Sequence, residues 1–320
     1  MTPLIPSLRP SRPSVQKSSA KVTITLEDLI LLKAEARGFS FLPRQPVASL
    51  LSGRHTSRLR GRGLAFEELR HYQPGDDIRT IDWRATARLG SPHVRVYSEE
   101  RERPVLLLVD QRTPMFFGSR RAMKSVAAAE IVALAAWRAL GGGDRVGGIV
   151  FNEHEISDLP PQRSQTRTLR LLHEVVRLNQ ALAEGIPSGG VTLDDALEAA
   201  RRRATHDHLI VLISDLDGAG AGTQRLATQL AAHNDVLIIA IYDPLGASLQ
   251  GRAGMMAATP QGSIALPTDR AFASSFQDTF AAHLDEWREI FRALRVPVLP
   301  ISTATSPADQ LRELFGQHRP

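Results

Sequence analysis

Five short apolar runs constrain the fold of this 320-residue chain more than any other feature of its sequence. They occupy residues 105–109, 146–151, 209–214, 236–242 and 296–301. Runs of this length are typical of strands that are buried on both faces. Amphipathic stretches separate the runs, and helices are predicted over residues 120–140, 165–179, 192–204, 222–233 and 307–315. The alternation predicts an α/β fold, with a doubly wound, mostly parallel sheet that carries helices on both faces.

The chain divides into three predicted parts. Residues 1–22 are rich in proline, serine and basic side chains, and we expect them to be a disordered lead-in. Residues 23–103 are expected to form an amphipathic helix at 23–37 and then a nonhelical, extended layer. Residues 104–320 carry the α/β domain. Within it, residues 243–268 have no helical period, which predicts a β-hairpin inserted after Asp243.

Composition excludes several classes of function. The chain has no cysteine, so disulfides, thiolate metal sites and cysteine nucleophiles are excluded. The apolar runs are far shorter than the roughly 20 residues that cross a bilayer, so we expect no membrane span and a cytoplasmic protein. The net charge is +5, and the arginines alternate with acids along the chain. We therefore expect no nucleic-acid partner, and Arg-mediated nucleic-acid binding stays an alternative.

Two carboxylates stand where predicted strands end. Asp110 closes the first apolar run and Asp215 follows the run at 209–214. The carboxyl ends of parallel strands share one edge of the sheet, where ligands bind. Thr192 opens a predicted helix after Gly189-Gly190, so its hydroxyl is expected at the same edge. This spacing resembles the von Willebrand factor A domain, whose metal-ion-dependent adhesion site uses D-x-S-x-S, a later threonine and a later aspartate.

The first of these motifs departs from that pattern. Residues 110–114 read DQRTP, so Arg112 and Pro114 stand where the two serine hydroxyls belong. Mg²⁺ demands near-octahedral oxygen ligands, whereas proline has no side-chain ligand and a guanidinium has only donors. We expect a degenerate site without metal or cofactor, in which Arg112 bonds to Asp110, Asp215 and Asp217 in place of the cation. Two alternatives stay open: Arg112 points to solvent, or a metal binds with water at the missing positions.

A dense ionic turn lies upstream of the apolar runs. Pro74-Gly75 favours a tight turn, and the acids that follow are expected to face basic side chains. Trp83 is expected to anchor the turn onto the core. The turn has two open roles, to clamp the extra layer to the core or to present a docking surface. Its candidate residues are Arg70, Tyr72, Gly75, Asp76, Asp77, Arg79, Asp82, Trp83 and Arg88.

The block GDDIRTIDW at residues 75–83 resembles the signature of the bacterial family called domain of unknown function 58. In that family the block precedes a von Willebrand factor A-like core. Members are commonly encoded beside MoxR-type AAA+ ATPases, and the pairs are thought to act in protein-complex maturation or stress responses. The resemblance implies a noncatalytic interaction module that serves as a partner or adaptor of such an ATPase.

An enzyme is the alternative that the carboxylates leave open. Asp110 and Asp215 are placed to serve a hydrolase that recruits a metal ion. The sequence has no G-x-x-x-x-G-K-[ST] phosphate loop, no G-x-S-x-G elbow and no H-E-x-x-H helix. Those three absences favour the noncatalytic interpretation.

Overall fold

The computed structural model describes residues 21–36, 64–99, 103–182, 190–247, 256–259, 262–265 and 296–315, and positions 274 and 278. The expected lead-in therefore lies outside the described residues, apart from its last two. In chain order the strands are β1 (Leu64–His71), β2 (His93–Glu99), β3 (Pro104–Asp110), β4 (Arg145–Phe151), β5 (Ile156–Gln162), β6 (Leu209–Ser214), β7 (Asp235–Tyr242), β8 (Met256–Thr259), β9 (Gly262–Ala265) and β10 (Val298–Ser302).

Helices occupy all five amphipathic stretches predicted within the α/β domain, and the described residues contain three further short α-helices. In chain order the α-helices are α1 (Leu26–Leu31), α2 (Trp83–Leu89), α3 (Lys124–Gly141), α4 (Gln165–Gln180), α5 (Leu193–Arg203), α6 (Ala221–Ala231), the single turn α7 (Pro244–Ala247) and α8 (Pro307–Phe315). None of the helices in the described ranges is long and apolar enough to cross a membrane.

A six-stranded sheet forms the centre of the molecule, with the order β10-β7-β6-β3-β4-β5. All neighbours in it are parallel except β4 and β5, which pair antiparallel. Each predicted apolar run forms one of the parallel strands. The antiparallel strand β5 was not predicted, because its sequence ISDLPPQ is polar, contains two prolines and is only partly buried.

Helices cover both faces of this sheet. In β3, Leu107 and Val109 pack in one cluster with α3, α4 and α8, whereas Leu106 and Leu108 pack in a second cluster with α5 and α6. Side chains alternate between the two faces of a strand, so one apolar run supplies both cores. The fold is thus mixed α/β, with a mostly parallel sheet flanked by helices.

Residues 21–36 pack against the first of these two cores. Thr25 and Asp28 form a capping box that starts α1, and Leu29 is fully buried. The indole Nε1 of Trp137 donates to the Leu29 carbonyl at 2.8 Å, and the amide of Ile24 donates to Asn179 Oδ1 at 3.0 Å. The helix is shorter than the predicted 23–37, because the chain continues from Leu31 as turns.

Residues 64–99 form a hairpin layer, in which β1 and β2 pair antiparallel. The prediction of a nonhelical layer was wrong at α2. Asp82 caps this helix by accepting the amides of Arg84 and Ala85, and Gly90 ends it with a φ of +75°. An aspartate cap and a left-handed glycine are ordinary helix boundaries, and here they enclose only seven residues. Strands β8 and β9 form a second antiparallel hairpin within the segment where one was predicted.

Candidate functional site at the carboxyl edge of the sheet

Four acidic side chains meet the carboxyl edge of the sheet. Asp110 ends β3, Asp215 follows β6, Asp243 follows β7 and Glu153 lies two residues beyond β4. Asp110, Glu153 and Asp243 are buried, and the side chain of Asp215 is only 8% exposed. Asp243 was not predicted as a site residue, although it follows an apolar strand just as Asp215 does. Glu153 was not predicted because Asn152 separates it from the end of its strand.

Arg112 holds the buried carboxylate of Asp110. Its Nε donates to Asp110 Oδ1 at 3.0 Å, its Nη2 donates to Oδ2 at 2.7 Å, and its own amide donates to Oδ1 at 3.0 Å. Ser214 Oγ donates to Oδ2 at 2.7 Å. Asp110 is 0% exposed and Arg112 is 7% exposed, so the alternative in which Arg112 points to solvent is wrong. A guanidinium that donates two hydrogen bonds to a buried carboxylate forms one of the stronger polar contacts in proteins.

Burial and charge compete at this pair. Complete burial raises the pKa of Asp110, against the hydrogen bonds and charge of Arg112, and the nearby negative charge of Asp215 also raises it. Burial disfavours the charged form of Arg112, but the hydrogen bonds and charge of Asp110 outweigh it, so the pKa of Arg112 is raised. The arginine therefore stays charged, and it is the internal counter-ion of Asp110.

The loop after β6 completes the shell around this arginine. Arg112 Nη2 donates to the backbone carbonyl of Asp217 at 3.0 Å. Leu216 has a φ of +63°, which is uncommon for a residue with a side chain, and it is held there by burial and by the bond from its amide to Ser214 Oγ at 2.9 Å. Gly218 follows with a φ of +74°. The strained loop thus presents a carbonyl acceptor to the guanidinium.

Asp215 has a different partner from the one predicted. Lys124, the first residue of α3, donates its Nζ to Asp215 Oδ2, and the two side chains are 14% and 8% exposed. Asp215 Oδ1 accepts the amide of Asp217 at 3.0 Å. The expected hydrogen bonds from Arg112 to the Asp215 and Asp217 carboxylates are absent in the described part of the chain, where Arg112 contacts the Asp217 backbone. The edge therefore contains two internal cations.

Pro114 and Thr192 do not act as ligands of one shared site. Pro114 lies in a 3₁₀ turn at Thr113–Met115, and the Thr113 amide donates to Glu153 Oε1. Thr192 is the N-cap of α5, where its hydroxyl donates to Asp195 Oδ2 at 2.7 Å and accepts the Asp195 amide at 3.2 Å. The Thr192 amide also donates to Asp195 Oδ2 at 2.9 Å, and this bond together with the one from the Asp195 amide forms a capping box, so the hydroxyl serves its own helix.

Asp243 forms a second buried acidic centre at this edge. It accepts the Ser119 amide at 2.8 Å, the Leu245 amide at 2.9 Å and the hydroxyls of Ser119 and Thr303. Burial alone would raise its pKa, but the hydrogen bonds donated by Ser119 and Thr303 outweigh burial, so the pKa of Asp243 is lowered. Through these contacts Asp243 ties β7 to β10 and to the loop that precedes α3.

The ionic turn stabilises the hairpin layer itself. Arg70 bonds to Asp76 with two contacts of 2.9 and 2.7 Å, and Arg95 Nε donates to Asp82 Oδ2 at 2.7 Å. These donors lower the pKa of Asp76 and of Asp82. Gly75 has a φ of +107°, a conformation that glycine adopts without strain. These two pairs join residues of the layer to one another.

The remaining residues of the turn lie at its surface or use only their backbone. Trp83 is 67% exposed, so the prediction that it anchors the turn onto the core was wrong. It is the first residue of α2, and the helix packs through Thr86, whose hydroxyl accepts the His93 amide at 3.1 Å. The Tyr72 amide donates to the Pro92 carbonyl, and Asp77 caps the 3₁₀ turn at Ile78–Thr80. Arg79 and Arg88 are exposed and face none of the acids described.

The carboxyl edge does not fit a divalent cation. Among the described residues, no three histidine or acidic side chains converge in a way that could hold a metal ion. Both oxygens of Asp110 accept hydrogen bonds from Arg112, and Asp215 accepts one from Lys124. A metal ion would meet two positive charges where it requires lone pairs.

Comparison with known proteins assigns the family. The family model described as Protein of unknown function DUF58 matches residues 68–286. The chain belongs to the DUF58 family. This DUF58 protein is 28% identical over 274 residues to the uncharacterized proteins Rv1480 of Mycobacterium tuberculosis and Mb1516 of Mycobacterium bovis, with 85% of each chain covered.

Solved structures are more distant. BatB from Bacteroides thetaiotaomicron is 14% identical, with a TM-score of 0.39, over 66% of this chain and 97% of that one. An aerotolerance-related membrane protein from Bacteroides fragilis is 15% identical, with a TM-score of 0.40, over 65% of this chain and 96% of that one.

Proposed function

We propose that this DUF58 protein is a noncatalytic protein-interaction module, with a von Willebrand factor A-like α/β domain whose carboxyl edge binds a partner protein without a bridging metal. The observation that carries the proposal is the pair formed by Arg112 and Asp110. The guanidinium supplies inside the protein the positive charge that a bound cation would supply at a metal-dependent adhesion site. The edge is therefore a degenerate metal-adhesion site.

The same contacts argue against a hydrolase. A general base needs a free lone pair that points at the substrate, and a metal ligand needs one that points at the ion. The oxygens of Asp110 are occupied by donors from Arg112 and Ser214, and Asp215 is held by Lys124. A recruited metal would have to displace an arginine that is itself 7% exposed and bonded to the Asp217 carbonyl.

The partner that we propose is a MoxR-type AAA+ ATPase, with which the protein acts in the cytoplasm in protein-complex maturation or a stress response. Membership of the DUF58 family and the GDDIRTIDW block support this proposal. Around the buried pairs, the edge exposes side chains that a partner can contact. Phe117 is 45% exposed, and Arg120 and Asp217 are also exposed.

Calorimetric titration with Mg²⁺ and Mn²⁺ tests the absence of a metal. The parent protein is expected to give no binding heat, and the double variant Arg112→Ser/Pro114→Ser is expected to gain millimolar or tighter affinity. Arg201→Ser, which removes an exposed arginine that pairs with Glu198, is the matched control and should stay silent. Saturable binding of either ion by the parent would contradict the proposal and favour the hydrolase.

Size-exclusion chromatography with the MoxR-type ATPase of the same organism tests the partner. The ATPase is supplied without nucleotide, because bound nucleotide would itself require Mg²⁺. Under this condition the complex is expected to form equally in the presence and absence of EDTA. Phe117→Ala/Arg120→Glu should weaken the complex, because both side chains lie at the exposed part of the edge. A complex that EDTA abolishes, or that this variant leaves unchanged, would refute docking at a metal-free edge.

A further inference from the structure

The outward face of α2 combines one aromatic and two basic side chains. Positions four apart share a helix face, so Trp83 lies in line with Ala87, and Arg84 lies in line with Arg88. All four residues are exposed, whereas Thr86, on the side of the helix away from Arg84 and Arg88, bonds to the β2 backbone. The small side chain of Ala87 leaves the indole of Trp83 uncovered on one side. The helix thus presents an aromatic stripe beside a basic stripe.

The positive charge of this face has no acidic partner among the described residues. There the guanidinium groups of Arg84 and Arg88 form no ion pair. The nearby acids are already engaged, since Asp76 is held by Arg70 and Asp82 by Arg95. Asp82 also accepts two amides at the start of α2. The arginines are therefore available to an acidic partner.

Two further apolar side chains of the hairpin layer are exposed. Ile78 and Leu89, at the turn that leads into α2 and at its last residue, are 63% and 56% exposed, beside the 67% exposure of Trp83. Single exposed apolar residues are ordinary, but three within twelve residues of one small layer leave a substantial apolar surface uncovered. Tryptophan and arginine are also the side chains that contribute most often to binding energy at protein interfaces.

We propose that this α2 face binds an acidic, amphipathic segment of a partner protein, whose carboxylates pair with Arg84 and Arg88 and whose apolar side chains pack on Trp83. The inference rests on the proposed interaction function and adds a second contact surface, separate from the carboxyl edge. Charge complementarity selects this occupant. A second copy related by two-fold symmetry would place arginines against arginines.

Single-stranded nucleic acid is the competing occupant, and the composition of the face disfavours it. Such sites stack successive bases on several aromatic side chains. Trp83 is the only aromatic residue on α2, and Ile78 and Leu89 offer aliphatic surface that phosphates and sugars do not use. An acidic helix with leucines on one face uses both the charges and the aliphatic surface.

The test is a binding assay with four probes on the full-length protein. They are a fluorescein-labelled 16-residue helix of glutamates and leucines, the same helix with lysine for glutamate, a glutamate homopolymer of equal length, and oligo(dT) of 20 nucleotides. The glutamate–leucine helix is expected to bind, with affinity that falls as salt rises. Trp83→Ala and Arg84→Glu/Arg88→Glu should each weaken it roughly tenfold or more.

Arg202→Glu is the control, because it reverses the charge of an exposed arginine on α5 and should leave affinity unchanged. Tighter binding of oligo(dT) than of the peptide would overturn the inference in favour of nucleic acid. Equal binding by the parent and the Trp83 variant would overturn it altogether. Urea unfolding of each variant checks that the layer remains folded. No loss of stability is expected, because the substituted side chains are exposed.

The result separates this inference from the proposed function. If the ATPase complex depends on Phe117 and Arg120 but no acidic peptide binds α2, the inference fails and the carboxyl-edge proposal stands. If the peptide binds α2 and no ATPase complex forms, the ATPase proposal fails and the acidic docking surface stands.

Discussion

Replacement of Arg112 by methionine should destabilise the protein strongly at neutral pH. The change keeps most of the side-chain volume and removes two charge-assisted hydrogen bonds to Asp110, which is 0% exposed. Each such bond contributes about 1.5–3 kcal/mol. Removal of one partner of a buried ion pair costs about 3–5 kcal/mol, because the other charge is left without compensation. We therefore expect the free energy of unfolding to fall by about 3–5 kcal/mol.

The loss should depend on pH in a defined direction. Without Arg112, burial raises the pKa of Asp110 further above its unfolded value. A carboxyl whose pKa is raised by folding destabilises the protein above that pKa, and the penalty vanishes below the unfolded value near 3.8. The deficit of Arg112→Met should therefore be largest at about pH 7 and shrink as the pH falls towards the unfolded value near 3.8. Urea unfolding at about pH 7 and at about pH 4, followed by circular dichroism, measures it.

Two further variants decide whether the pair causes the effect. Asp110→Asn/Arg112→Met removes both charges and should recover most of the loss, because the introduced carboxamide oxygen can still accept the bond from Ser214. Arg201→Met breaks an exposed pair and should cost no more than about 0.5 kcal/mol. A loss below about 1 kcal/mol for Arg112→Met, or a double variant no more stable than the single one, would refute the reasoning.

Three other predictions concern the same edge and the sheet beside it. Asp243→Asn should lower the free energy of unfolding by about 1–3 kcal/mol at pH 7. Because folding lowers the pKa of Asp243, the parent should lose this advantage as the pH falls below 3.8. Urea unfolding between about pH 3 and 7 measures the difference between the two proteins, and a constant difference would contradict the prediction. Thr192→Ala should lower stability by about 1 kcal/mol through loss of the capping box and leave ATPase binding intact, and weakened binding at unchanged stability would show that its hydroxyl belongs to the docking site. Gly147→Ala places a Cβ 2.4 Å from the Pro161 nitrogen, so thermal unfolding should show a loss of about 1–3 kcal/mol, whereas an unchanged melting temperature would mean that β5 yields freely.

Most of the sheet could be predicted because its strands are buried on both faces. An apolar run such as residues 105–109 has one structural solution in a chain that also contains amphipathic helices, and the carboxylate after it then lies at a known edge. The register places Asp110 and Ser214 on neighbouring strands, β3 and β6. The pairing of Arg112 with Asp110 was predicted because Arg112 stands at a ligand position of the metal-adhesion motif that residues 110–114 resemble.

The features that were not predicted depend on contacts between residues far apart in the sequence, or on local structure that the sequence pattern does not reveal. Lys124 reaches Asp215 only because α3 begins beneath the loop after β6, and a helix start gives no sign of which strand end it approaches. Trp83 is exposed because the cap at Asp82 starts a helix that turns the indole outward, and a tryptophan in an ionic segment carries no pattern that reveals this. The polar strand β5 lacks both the apolar run and the alternation by which strands are recognised.

The two border strands of the sheet restrict how other chains can join it. β5 contains Pro160 and Pro161, and β10, at the opposite border, contains Pro300. A proline has no amide hydrogen to give, so neither border offers an incoming strand a continuous ladder of bonds. The prolines therefore disfavour both the binding of a partner by β-strand addition and edge-to-edge aggregation at the two borders of this sheet. At this central sheet a partner is therefore expected to contact side chains on loops and helices rather than to add a strand, and substitutions there can change selectivity without disturbing the sheet.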